Sequence, residues 1–324
     1  MPSTPGNALT LAIGKQVAKG TPQATPTFKM RYTGGFGPDP VQSRIVLAET
    51  DATRQQGDPI IVEHSVAGGA EHYVRPDEFG LLAYLCLGVL GTTGGGADKT
   101  HTISCLGSGV SPYATLFKAQ NVTAYVDRYV DCLINSITVS GGAEQPLQVA
   151  VDWLGLGYTT GTTDPVLAPV STAPMVYPEV TVTKAASTAA VVQSFSLTFT
   201  QNRSLVLGDT GLVAADVAPG MFAVTGSLSI LFESDAERRL YLTGSGVGTT
   251  PATSVVPEAL SILVQRTAVL SILFDMDNVI PTAVTVPANT DGSPIIMGYE
   301  FQSQRNATLA NVLEIIVKNQ IVSY

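Results

Sequence analysis

Charge is the scarcest commodity in this sequence. Asp, Glu, Lys and Arg make up 13% of its 324 residues, about half the usual share of roughly 25%. Cations are the rarer sign, with 17 Lys+Arg against 26 Asp+Glu and a formal net charge of -9. That balance excludes a basic nucleic-acid reader, which neutralises phosphates with a positive surface. The three cysteines, Cys86, Cys105 and Cys132, are odd in number and widely spaced. They suit neither a disulfide scaffold nor a close-paired metal site. The expectation is buried free thiols in a reducing cytosol. Met1 to Thr10 lacks the cationic start and apolar stretch of a signal peptide. The longest apolar run, Phe79 to Gly91, is shorter than the roughly 18 residues that span a bilayer, so no membrane insertion is expected.

Catalytic signatures are missing too. There is no Gly-x-Ser-x-Gly elbow, and none of His64, His72 and His101 has the sequence context of a catalytic base. Gly91 to Thr100 resembles a phosphate-binding loop, but Asp98 stands where that motif needs Gly before Lys. It reads as a surface loop. Gly155-Leu156-Gly157 lacks the third Gly of a dinucleotide site. The neighbouring acids Asp127 and Asp131, or Asp275 and Asp277, read as solvated strand ends. Without an export signal, the acceptor-like Asn121, Asn202 and Asn306 are chance matches. A hairpin is expected around Gly68-Gly69, which places His64 and His72 on opposite sheet faces. No enzyme, cofactor or metal is expected.

What is present is strand. Hydrophobic residues are 45% of the chain, enough to bury a sizeable core, and Gly (31) and Pro (20) punctuate it. Period-two alternation marks Val122–Val126, Leu133–Val139, Leu147–Trp153, Phe195–Phe199, Phe222–Phe232, Leu260–Val264, Val269–Phe274, Ile295–Phe301 and Val312–Val317. Val41–Leu47 and Ile60–Val66 are looser bursts. Two helices are expected. Pro76-Asp77-Glu78 opens the first, with Gly88 as its stop. Ser234 and Glu237 form a capping box for the second, which stops at Gly244.

The order of elements repeats: a strand pair, a helix, then three strands, in each half. Leu133–Val139 aligns with Val279–Val286, and Pro146-Leu147-Gln148-Val149 with Pro294-Ile295-Ile296-Met297. Between the halves, Gly155–Ala190 is rich in Thr, Pro, Gly and Ala, the composition of a linker or of an arm lying on a neighbour.

Ile13-Gly14-Lys15-Gln16-Val17-Ala18-Lys19-Gly20-Thr21-Pro22, followed by Pro26-Thr27, resembles the opening of major tail tube proteins of long-tailed (siphovirus-type) bacteriophages. It departs at Gln16, where an acid is common, and at Lys19, where an aromatic is common. Leu133–Gly155 is similar to that family's long hairpin, and Val312–Asn319 to its closing strand. The resemblance implies a mainly β fold of two tandem tail-tube-type sandwich or barrel domains, each with one short helix. Residues 1–160 would form the first with an N-terminal arm, 161–190 the linker or arm, and 191–324 the second. It implies a virion protein, assembled in the bacterial host cytoplasm, that closes into stacked rings through which the genomic DNA leaves without specific binding. Its partners are then itself and other tail proteins. Two domains per chain favour a trimeric pseudo-sixfold ring, with a hexamer as the alternative. The loops before each helix supply candidates for contacts between rings: Asp51, Arg54, Gln55, Gln56, Asp58, Asp209 and Asp216. Few charges suit a surface that is largely interface, and a negative balance suits a channel that releases DNA. The rival reading is a secreted or surface β-rich adhesion module, which needs an export signal.

Overall fold

Apolar–polar alternation is realised as antiparallel strands along most of the chain. The computed structural model describes residues 9–47, 58–119, 126–161, 167–185, 187–188, 191–208, 211–288, 292–305 and 312–324. The first half contains β1 (Thr10–Lys15), β2 (Phe28–Met30), β3 (Tyr32–Phe36), β4 (Asp39–Val46), β5 (Pro59–Tyr73), α1 (Pro76–Leu87), β6 (Gly88–Thr93), β7 (Lys99–Cys105), β8 (Ala114–Ala119), β9 (Val126–Gly142), β10 (Gln148–Gly155) and β11 (Gly157–Thr159). The second contains β12 (Val180–Lys184), β13 (Ser187–Thr188), β14 (Val192–Thr200), β15 (Ser204–Val206), β16 (Asp216–Ala218), β17 (Ala223–Leu231), α2 (Ala236–Thr243), β18 (Glu258–Thr267), β19 (Leu270–Thr285), β20 (Ile296–Ser303) and β21 (Glu314–Asn319).

A central antiparallel sheet runs β4–β5–β10–β9–β14–β17–β20–β19 across both halves. The two longest partners at its middle and end, β9 and β19, each serve two sheets. The first part of β9 pairs with β8 and β11, and the first part of β19 with β18 and β21. One hydrophobic cluster joins these layers, from Ile13 and Phe79 through Trp153 to Phe274 and Val317.

The pairings repeat along with the order. β5–β10–β9 is matched by β17–β20–β19. A helix follows β5 and β17, β8 and β18 precede the long strand, and β11 and β21 return beside it. Even the irregularities coincide. The β9–β10 ladder slips between Asp152 and Trp153, passing over Asn135; the β19–β20 ladder slips between Pro281 and Ala283, passing over Thr282. A second slip falls between Tyr32 and Gly34 in one half and Val192 and Ser194 in the other. Bulges re-aim a strand at a fixed place, and here both halves are re-aimed alike. β10 and β20 begin two residues after Pro146 and Pro294, as the sequence alignment has it. The alignment of the long strands is one residue out. Leu133 faces Leu154, whose counterpart Gln302 faces Ile280, not Val279.

Several expectations are corrected. Gly68-Gly69 is no turn: β5 runs straight through it, paired residue by residue with β10. The glycines admit a close crossing instead, since a Cβ on Gly37 would lie 2.7 Å from the Gly69 carbonyl oxygen. His64 and His72 therefore stand eight residues apart on one strand. Val269–Phe274 and Val279–Val286 join into the single β19. Most of Val122–Val126 lies outside the described residues. α1 starts at Pro76 and ends on a left-handed Gly88, as expected. For α2 the end at Gly244 holds, but its N-cap is Asp235 and no side-chain cap forms. Glu237 turns instead to Lys184.

The connecting segment lies on its own chain. Met175 is fully buried, its N–H donating to Val74 O at 2.9 Å while its carbonyl accepts from Leu147 N at 2.9 Å. Arg266 holds it from the second half through Ala173 O at 3.2 Å and through Glu179 at 2.6 Å. Cys86 and Cys132 are buried free thiols and Cys105 is half-buried. Burial pushes the Cys86 thiol up to about 12.

Candidate functional site

Strand alternation gives the central sheet two unlike faces. One is core: Val149, Val151, Ile137, Val139, Phe195, Leu197, Phe199, Leu228, Tyr299 and Phe301 are all buried. The other is partly or fully exposed, and its side chains fall into cross-strand rows. One row reads Tyr73, Gln148, Ser140, Ser196, Ser227, Glu300, Ala283. The next reads Glu71, Ala150, Thr138, Thr198, Thr225, Gln302, Ile280. A third reads Gly69, Asp152, Ser136, Thr200, Ala223. Small hydroxyls dominate. Thr138 and Thr198 share a hydrogen bond of 2.9 Å across the junction of the halves, and Asn135 Nδ2 donates to Asp152 Oδ2 at 3.3 Å.

The rows contain three carboxylates, Glu71, Asp152 and Glu300, and no Lys or Arg. Asp152 and Glu300 are counterparts, each one residue before the buried aromatic at the bulge. Each also lines a shallow hollow on this face, one with Ser136 and Thr138, the other with Ser196 and Thr225. Cations are engaged elsewhere: Lys118 with Asp39, Lys184 with Glu237 and Glu258, Arg266 with Glu179, Lys19 with Asp216. The face, as far as the described rows go, thus offers polar hydration and negative charge, with no cation to pair with an anion.

A second polar cluster sits at the start of α1. His72 Nδ1 lies 3.1 Å from Arg31 O, Arg75 Nη1 lies 3.6 Å from Glu78 Oε2, and Thr172 Oγ1 donates to Asp77. Burial pushes His72 down to about 4 and Glu78 up to about 7, the latter against the pull of Arg75. All four side chains, His72, Arg75, Asp77 and Glu78, are buried. The acids face the positive end of the helix dipole, so the cluster anchors α1 rather than receiving a substrate. Among the described residues no three His, Cys, Asp or Glu gather as a metal site, and no helix is long and apolar enough to cross a membrane.

The other sequence candidates scatter. Asp131 accepts from Gly20 N at 2.8 Å, and Asp127 is buried near Lys118. Asp275 is pushed up by burial and by Asp277. Gly91–Thr100 is the tip of the β6–β7 hairpin, with residues 94–98 as its exposed turn and Lys99 Nζ donating to Gly94 O at 3.0 Å. Asp51, Arg54, Gln55, Gln56 and Asp209 lie outside the described residues. Asp58 is exposed at the foot of β5. Asp216 is held by Lys19 at 2.7 Å and by Tyr113 OH at 3.2 Å. The hydroxyl face itself goes unread in the sequence, although a signal was there: Ser and Thr alternate with apolar residues along Ser194–Thr200 and Thr225–Leu231.

A family model described as phage tail tube protein matches residues 6–303. No curated protein matches the chain.

Proposed function

The chain belongs to the phage tail tube protein family, a structural component of the virion tail, and from that premise we propose that copies of it close into rings, that the rings stack, and that the hydroxyl face lines the bore through which DNA leaves. The observation that carries this reading is the cation-free row structure of the central sheet. Duplex DNA carries one negative charge per roughly 1.7 Å, and proteins that hold it release counterions through Lys and Arg. A bore lined by Ser, Thr, Asp152 and Glu300 gives the phosphates no cation to pair with, and a weak repulsion to keep them moving. Each half serves as one unit of the ring, so three chains make a pseudo-sixfold ring; six chains are the alternative. Contacts between stacked rings come from the loops bearing Asp51, Arg54, Gln55, Gln56, Asp58, Asp209 and Asp216. Assembly takes place in the host cytoplasm.

Negative-stain electron microscopy of purified protein tests this. Rings or hollow rods are expected, and monomers that bind a glycan would overturn it in favour of adhesion. Within the rods, Thr198→Lys with Thr225→Lys should make the bore retain duplex DNA in a salt-dependent way. Retention by the parent chain would contradict the assignment of the face.

A further inference from the structure

The two halves meet inside one chain, and that junction is fully built. Along its far edge β9 takes β14, with Thr138 opposite Thr198 and Ser136 opposite Thr200. Past β14 the chain continues as Gln201-Asn202-Arg203 and locks onto Asn135, the bulge residue of β9. Gln201 N donates to Asn135 O at 2.7 Å, and Arg203 N to Asn135 Oδ1 at 2.9 Å. The side chains then reach the last turn of α1. Gln201 Nε2 donates to Cys86 O at 2.8 Å, while Arg203 Nη2 reaches the same oxygen at 3.4 Å and Ser111 Oγ at 2.7 Å. Both side chains are buried. Carbonyls at a helix C-terminus lack intrahelical partners and carry partial negative charge, so a buried guanidinium is favoured there.

The first half carries the same segment, and among the described residues its Gln42 and Arg44 reach no helix end; Ser43 Oγ between them donates to Glu63 Oε2 at 3.3 Å. Pro40 faces Val66 as Phe199 faces Val224, the counterpart of Val66. Counting on from Pro40 and Phe199, Gln42-Ser43-Arg44 stands where Gln201-Asn202-Arg203 stands. Gln42 and Arg44 are exposed, and Arg44 Nη2 donates to Gln42 Oε1 at 2.9 Å. Among the described residues β4 pairs with β5 alone.

The opposite end of the sheet is the matching half of the junction. Ile280–Thr285 of β19 pairs with β20 on one side, and among the described residues no strand lies on the other. Thr282 there is the counterpart of Asn135. Beside it stands α2, the counterpart of α1, with exposed Tyr241, Leu242, Val255 and Val256 around a hollow that reaches Pro281.

We infer that a second copy of the chain docks by repeating the internal junction: β4 of one copy adds antiparallel to β19 of the next, with Asp39 opposite Thr285 and Val41 opposite Ala283, and its Gln42 and Arg44 clamp the Thr282 bulge and the last turn of α2. The inference rests on the tube reading, in which copies meet side by side, and it names the surfaces that meet. The contact is head to tail, so repetition closes a ring or runs on as a helix. It also pairs the two free edges of the central sheet, which otherwise invite uncontrolled pairing.

The test uses the full chain. Gln42→Ala with Arg44→Glu, both at exposed positions, should melt within about 2 °C of the parent and should form no rings or rods by sizing and negative stain. Independently, Val41→Cys with Ala283→Cys should give a ladder of intermolecular disulfides when assembled material is oxidised. The off-register pair Val41→Cys with Thr285→Cys should not. Six strands separate β4 from β19 within one chain, so the bond cannot close intramolecularly, since bridged Cα atoms lie within roughly 7 Å. Assembly of the Gln42/Arg44 variant at the parent level, or cross-links only at another register, overturns the junction and leaves the tube reading standing. A parent chain that stays monomeric at every concentration overturns both.

Discussion

α1 and α2 hold the same place in the two halves, yet eleven of the twelve residues of α1 are buried and none of α2 is. The difference is written in their composition. Apolar residues surround α1, which is the pattern of a helix buried on all sides. α2 reads AERRLYLT, with Arg238 and Arg239 paired to Asp235 at 3.8 and 3.2 Å. The reason for the difference lies in what faces each helix. Phe79 of α1 meets Phe274 of the second half edge to face at 5.6 Å, Asn319 Nδ2 donates to Pro76 O at 3.0 Å, and Tyr324 packs over Gly80. α1 is closed over by the other half of its own chain. In the proposed docking, α2 sits at the junction that a second copy closes, and within the chain Tyr241 OH donates to Thr282 O at 3.1 Å there. The docking proposed above accounts for the difference: one junction then lies within the molecule and the other between molecules.

The largest expected effect breaks the closed side of that comparison. Phe79→Ala removes a fully buried ring and should cost about 3–5 kcal/mol of unfolding free energy. Leu242→Ala on α2 should change the isolated chain by less than about 0.5 kcal/mol. Urea unfolding of both variants checks this, and equal losses would contradict it. Next comes the clamp. Arg203→Ala deletes buried charged hydrogen bonds and should cost about 1.5–3 kcal/mol, while Arg44→Ala should leave the melting temperature of the free chain unchanged and weaken assembly.

A smaller effect concerns the buried start of α1. Glu78 titrates near 7 in the folded chain against an ordinary 4.5. Between those values the unfolded chain has lost a proton that the folded chain keeps, so this group lowers stability as pH rises from about 4.5 to about 7. His72 titrates near 4 against 6.5. The unfolded chain takes its proton first, so this group lowers stability as pH falls from about 6.5 to about 4. The slopes oppose one another. Glu78→Gln should make the dependence of unfolding free energy on pH more positive than the parent's between pH 4.5 and 6.5, since the falling contribution of Glu78 is removed and that of His72 stays. Denaturant melts of both chains at three pH values in that window read it, and identical profiles would contradict the account.

How much of this was legible depends on which sides of a strand are buried. β10, β14 and β17 each bury one face, so their alternation shows in the letters. β8 does not alternate: every residue of ATLFKA is buried, and period-two reading passes over it. The β6–β7 hairpin extends the second half's outer sheet through β21, a non-local pairing that no local pattern encodes. Pro76-Asp77-Glu78 announced α1 because its start signals are local. The capping box of α2 failed because Glu237 has a stronger partner in distant Lys184. Gly68-Gly69 looked like a turn because glycine serves turns and close crossings equally. The repeated Gln-x-Arg was present in the letters all along. It gains meaning only when the matched bulges set the two halves in register, with Gln201 and Arg203 buried and Gln42 and Arg44 exposed.

The most direct test of the central claim is a cryo-electron-microscopy reconstruction of end-on rings, with the chains in each ring counted. The account predicts three chains presenting six alternating junctions, three within chains through β9 and β14 and three between chains through β19 and β4. Rings of six chains, or rings whose subunits meet away from these edges, would contradict it.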